Sequence, residues 1–218
     1  LMTAEVSSYK AFLFDLNGTM IDDMRFHAKA WGDIINNDLA AGLSTAELTT
    51  QLYGKNEELL VRIFGEGGFT VKEMQKLSME KERRYQAAYK PHLKLIDGLE
   101  QVLVEAMDEG IKMAIGSAAI RFNIDFVLDN LGIRNFFEAI VSADDVTVSK
   151  PHPDTFLKCA IQLGLEPADC VVFEDAPKGV EAALNAGMDC VVLTTMHEAR
   201  EFGKYPNIIR FITDYTQL

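Results

Sequence analysis

From residue 95 onward the sequence alternates short apolar runs with longer segments of helical periodicity. That alternation limits the chain to a parallel sheet with helices on both faces. The apolar runs fall at 111–115, 139–142, 170–173, 190–193 and 208–212. Between them, Leu99, Val102, Leu103, Ala106 and Met107 form one helical stripe, closed by Gly110. Helices are predicted over 123–131 and 155–163, stopped by Gly132 and Gly164. Pro177 suits the first turn of another helix, which stops at Gly187. An earlier run, Ala11 to Phe14, has neither Pro nor Gly and has the profile of a buried central strand.

Between that first strand and the alternating region the pattern is helical throughout. Phe26, Ala30, Trp31, Ile34 and Ile35 have helical spacing within 20–38. Ser44 with Glu47 three residues later is a capping-box pattern. Tyr53-Gly54-Lys55-Asn56 interrupts, a helix resumes over 57–64, and 71–89 is long, charged and helical. Residues 23–90 therefore read as a helical insertion into a core made of 1–22 and 91–218. Lys90-Pro91 is the expected hinge, because the residue before proline disfavours helical geometry.

The 218 residues are 48% hydrophobic, enough for one core plus a smaller module. No apolar run approaches the ~20 residues of a membrane span. The first nine residues lack the pattern of a signal peptide. Three cysteines make no even disulfide framework, and Cys170 and Cys190 lie in apolar runs. A reduced, cytoplasmic setting is expected, with neither membrane nor nucleic acid as partner; the net charge of −12 opposes the latter. A monomer is expected. An acidic chain that handles an anion needs a local cation to offset its own field.

The predicted strand ends carry polar residues: Asp15 and Asn17, Ser117, Lys150 in a loop, then Glu174 and Asp175. In a parallel sheet these ends share one edge and can converge. Two or three carboxylates with a backbone carbonyl suit Mg²⁺, a hard cation that takes oxygen ligands. A Lys and a Ser beside it suit a phosphoryl group. Asp15 is then placed to attack phosphorus and form an aspartyl-phosphate. Bland readings stand beside these: Asp15 as a turn former, Ser117 as a helix cap, Lys150 as a solvated loop charge, and Glu174-Asp175 as helix-start charges.

Asp15-Leu16-Asn17-Gly18-Thr19, Ser117, Ser149-Lys150-Pro151 and Glu174-Asp175 resemble the four ordered motifs of the haloacid dehalogenase-like hydrolase superfamily. Phe26-His27-Ala28-Lys29-Ala30-Trp31 and Lys150-Pro151-His152-Pro153-Asp154 are similar to its β-phosphoglucomutase-like branch. The resemblance implies a Rossmann-like three-layer α/β core with a parallel sheet and an inserted small helical cap domain of the first type. It implies that Asp15 is nucleophile and metal ligand, that Asn17 offers its backbone carbonyl, and that Glu174 and Asp175 complete a Mg²⁺ site. Ser117, the adjacent Ala118 and Lys150 would hold the phosphoryl group. His27, Gly54, Lys55 and Lys81 become candidate substrate contacts from the cap. His27 fits a packed helix position equally well, and Lys55 and Lys81 fit any helix surface.

Two departures matter. Phosphatases and mutases of this family usually carry a second Asp where this chain has Asn17, and that Asp serves as acid and base. A carboxamide cannot shuttle a proton, a step typically worth ~10²–10⁴-fold. Glu57 also falls where the sugar-phosphate mutases carry an Arg for the distal phosphate. The expected function is a Mg²⁺-dependent phosphatase of a small phosphorylated metabolite. The alternatives are a β-phosphoglucomutase-like mutase and a weakened phosphate-ligand binder; a metal-independent dehalogenase fits less well.

Overall fold

The computed structural model describes residues 1–218. They form two compact units, one of 1–22 with 94–218 and the other of 23–93.

The first unit contains a six-stranded parallel sheet with strands β1 (Ala11–Phe14), β2 (Lys112–Gly116), β3 (Ala139–Val141), β4 (Cys170–Glu174), β5 (Asp189–Leu193) and β6 (Ile208–Ile212). Their spatial order is β3-β2-β1-β4-β5-β6. The strand β1 is central, with Ala11 beside both Lys112 and Cys170. All four of its residues are fully buried, which explains its uniform apolarity. Chain order reverses between β1 and β4, and open α/β sheets bind ligands at such a switch point, beyond the carboxyl ends of the strands.

Side chains alternate across the sheet. Leu13, Ala114, Val172, Cys190 and Val192 share a core with Phe156, Cys159 and Ala160 of one helix (Asp154–Leu163) and Val180 and Ala183 of another (Pro177–Asn185). Phe12, Phe14 and Phe173 form an aromatic group, with Phe14 stacked on Phe173 at 4.7 Å and Tyr215 packed beside both.

Some boundaries differ from the sequence expectation for local reasons. The strand expected from 111 begins at Lys112, because the Ile111 N–H closes the preceding helix onto Ala106 O. The strand expected to end at 173 includes Glu174, which pairs with Val192.

The second unit contains helices Met24–Gly32, Thr45–Thr49, Asn56–Phe64 and Val71–Tyr89. The helix expected over 20–38 starts later, since Met20 and Ile21 are buried in the first unit, and it continues as a π-helical stretch, Asp33–Asp38. Trp31, Ile34, Ile35, Leu48, Leu59 and Leu60 form a separate core. Ser44 and Glu47 complete the capping box as expected. Lys90 departs from expectation: it keeps right-handed helical geometry and Pro91 continues a short 3₁₀ turn, Lys90–His92. Proline is tolerated in a first turn, so the chain turns extended only at Leu93.

Candidate functional site

Asp15 extends the ladder one step beyond β1, its N–H donating to Phe173 O at 3.0 Å. Gly18 takes a φ of 76°, which glycine reaches without strain, and its N–H closes a turn onto Ile21 O at 2.8 Å. That turn brings Thr19 back under the strand end. Its hydroxyl lies 3.0 Å from Asp15 Oδ2 and 3.2 Å from Asp175 Oδ1. Asn17 sits half-buried in this turn.

Lys150 reaches the same point from its loop. Its ammonium donates to Asp15 Oδ1 at 2.9 Å, Gly116 O at 3.0 Å and Glu174 Oε2 at 3.3 Å. Beside Gly116, Ser117 is buried and its Oγ accepts from the Ala119 N–H at 3.0 Å. Ser117 therefore closes a local turn, and the N-cap of the following helix (Arg121–Leu131) is Ile120.

Asp15, Glu174 and Asp175 bring carboxylate oxygens within 4.8 Å of one another. Burial, reinforced by the Asp15 charge, pushes the Glu174 carboxyl up to about 8. Burial also raises Asp175 well above the carboxylate range, with Asp15 and Glu174 adding to the effect. Burial works against the Lys150 charge but is outweighed by Asp15 and Glu174, which lift its pKa above the usual lysine range. Three carboxylates share one ammonium, so the cluster is short of positive charge. An all-oxygen donor set short of positive charge fits a hard divalent cation such as Mg²⁺.

The structure thus gathers Asp15, Glu174 and Asp175 into one cluster, with Lys150 bonded to Asp15 and Glu174 and with Asn17, Ser117 and Ala118 in the adjoining turns. The four cap candidates lie in the helical unit. His27 and Lys81 are both buried, with His27 Nδ1 2.7 Å from Lys81 Nζ and His27 Nε2 2.9 Å from Asp23 Oδ2. Lys81 Nζ lies 2.6 Å from Glu82 Oε1 without hydrogen-bond alignment, and Tyr85 OH donates to Asp23. Lys81 is therefore no surface lysine. Gly54 has a φ of 74° in the loop before the Asn56–Phe64 helix, and Lys55 is that helix's N-cap. Asn56 links the helix start to the buried group, donating to Ser78 Oγ at 2.8 Å and Glu82 Oε2 at 3.3 Å.

Sequence reasoning quoted Thr19 in its motif without giving it a role, and missed Asp23, Glu82 and Tyr85. Asp23 precedes His27 by four residues, one helical turn, and that spacing was the available signal. Glu82 carried no such signal, because a glutamate on a long charged helix usually faces solvent.

This fold and site define a Rossmann-like enzyme of the phosphatase and phosphotransferase kind. Residues 9–187 match the family described as haloacid dehalogenase-like hydrolase, and the chain belongs to that family. It is 32% identical to fructose-1-phosphate phosphatase YqaB of Escherichia coli, over 84% of this chain and 95% of that protein. It is 34% identical to β-phosphoglucomutase of Bacillus subtilis, over 84% of this chain and 82% of that one. The solved structure of β-phosphoglucomutase from Clostridium difficile superposes with a TM-score of 0.84 at 27% identity, covering 96% of this chain and 93% of the other.

Proposed function

We propose that the protein is a Mg²⁺-dependent phosphohydrolase of a small phosphorylated metabolite, acting through an aspartyl-phosphate on Asp15. The observation that carries this reading is the contact of Lys150 with both Asp15 and Glu174 at the switch point of the sheet. Asp15, the Asn17 carbonyl and Asp175 would hold the cation, with Glu174 beside them. The cation would supply charge neutralisation for the phosphoryl oxygens.

An Asp15 carboxylate oxygen attacks phosphorus, and the bond from phosphorus to the substrate oxygen breaks. Lys150 holds Asp15 by one oxygen and Thr19 by the other, which fixes the carboxylate for attack. Lys150 and Ser117 hold the phosphoryl group as charge develops. The departing oxygen takes a proton from solvent water, and a second water then attacks the acyl phosphate, giving its proton to solvent as the bond to Asp15 breaks and phosphate is released. Asn17 can orient these partners by hydrogen bonding but moves no proton.

A relative named for fructose 1-phosphate makes hexose phosphates the first substrates to screen. Glu57, where the mutases carry an Arg, favours hydrolysis over transfer between two positions of a sugar phosphate. The test is a phosphate-release screen of phosphorylated metabolites with and without Mg²⁺, run on this chain and on Asn17→Asp. Isomerisation of a sugar phosphate without free phosphate would favour the mutase reading. Retention of intact phosphate ligands by both proteins would favour a binder.

A further inference from the structure

Two hydroxyls reach the turn after β1 from strands the catalytic cluster does not use. Thr195 lies just beyond β5 and donates its Oγ1 to Gly18 O at 2.6 Å. Tyr215 lies just beyond β6 and donates its OH to Thr19 O at 2.7 Å. The acceptors are consecutive carbonyls in one tight loop. The Thr19 side chain bonds Asp15 and Asp175, so the loop is held by its backbone on one side and at the carboxylates on the other.

Tyr215 is itself fixed. Its ring is buried, with centroids 6.3 Å from Phe14 and 5.8 Å from Phe173. Its N–H donates to Asp97 O at 2.9 Å. The turn lies flush on Gly98, where a Cβ would fall 2.6 Å from Thr216 N. A phenylalanine would fill the same ring volume, so packing alone does not need the hydroxyl. Both residues lie beyond position 187, outside the segment that matches the family.

We propose that Thr195 and Tyr215 are positioning residues that clamp the 16–19 turn and so pre-set the Asn17 carbonyl and the Thr19 hydroxyl for the cation. This rests on the reading that Asp15, Asn17 and Asp175 hold Mg²⁺. Asn17 immediately precedes the clamped Gly18, so its carbonyl moves when that peptide moves. Each clamp removes a freedom that cation binding would otherwise have to freeze.

The experiment compares the full chain with Tyr215→Phe, Thr195→Val and Thr195→Ser. Three quantities are read: amide hydrogen exchange over 16–20 without metal, calorimetric Mg²⁺ affinity, and melting temperature. Tyr215→Phe and Thr195→Val should each exchange faster over 16–20 and bind Mg²⁺ roughly three- to tenfold more weakly, the worth of one buried hydrogen bond. Thr195→Ser restores the hydroxyl and should match the parent. A lower melting temperature with unchanged exchange and affinity would show a merely structural role and overturn the proposal. So would a serine variant as impaired as the valine one. If the parent itself binds no Mg²⁺, the metal reading fails. The exchange comparison then still decides the clamp, since unchanged exchange in both hydroxyl-deleted variants overturns it.

Discussion

The Glu174 carboxylate rests directly against the backbone of Gly179, so closely that a Cβ at position 179 would fall 1.6 Å from Oε2. Glu174 ends β4 and Gly179 lies in the first turns of the helix that follows, so the glycine opens the space that lets Glu174 face Lys150. In Gly179→Ala two effects compete. Alanine favours the helix by roughly 0.5–1 kcal/mol, while overpacking costs about 1–3 kcal/mol. The clash should win. We expect net destabilisation of about 1–2 kcal/mol by chemical denaturation and weaker Mg²⁺ binding by calorimetry. A variant more stable than the parent would show that Glu174 relocates freely.

Glu174 also sets a pH dependence. Folding raises its carboxyl from 4.5 to about 8, so the folded chain holds this proton more tightly than the unfolded one. A group raised in this way contributes stability that is complete below its unfolded pKa and disappears as pH climbs through its folded pKa. Metal-free protein should therefore lose stability between pH 4.5 and about 8. Lys150, raised above the same window, keeps its charge throughout. Glu174→Gln should reduce the slope, leaving the part that comes from Asp175, which burial raises in the same direction, and Mg²⁺ should raise the melting temperature more at the alkaline end than at the acid end. Thermal melts of both proteins across that range, with and without Mg²⁺, measure all of this.

Asn17 should make turnover depend steeply on the leaving group. In the proposed mechanism Asp15 is the nucleophile, but no carboxyl at position 17 protonates the departing oxygen. A nitrophenolate needs little protonation and a sugar alkoxide needs a great deal. Asn17→Asp should raise kcat on alkyl phosphates by ~10²–10⁴ and much less on nitrophenyl phosphate. Acid-quench trapping should recover more phosphoenzyme from the Asn17 parent. Equal kcat on alkyl phosphates would assign the proton to another group.

In the helical unit, Asp23 receives Tyr85 OH and faces His27 Nε2 at 2.9 Å, and it is fully buried. Asp23→Ala strips a carboxylate from a buried charged group that also contains Lys81 and Glu82. Breaking such a group costs about 3–5 kcal/mol, so the expected loss lies near that range, with a smaller loss for Asp23→Asn. Urea denaturation of the three proteins gives the comparison. A loss below about 1 kcal/mol, the scale of exposed pairs, would mean that water replaces the carboxylate.

Much of this protein was determined locally by its sequence. Buried parallel strands read as short apolar runs because both faces are covered, so β1 has the bounds expected from pattern alone; β6 also has its expected bounds, although it is a half-buried edge strand. Ser44-Glu47 and Gly132 act within one turn of themselves, and their roles follow from neighbours in the chain. Asp15, Ser117, Lys150 and Asp175 were legible because each stands at or beyond a strand end, and parallel strands share one edge. Tertiary structure alone decided which side chains meet. Lys81 looked like a surface lysine until the fold buried it against His27 and Glu82. Thr195 and Tyr215 carried no sequence signal, and it is β5 and β6 that bring them to the turn after β1. Periodicity reports one element's exposure to water, whereas a hydrogen bond across 177 or 196 residues depends on strand order and register. Those are settled only when the whole sheet packs.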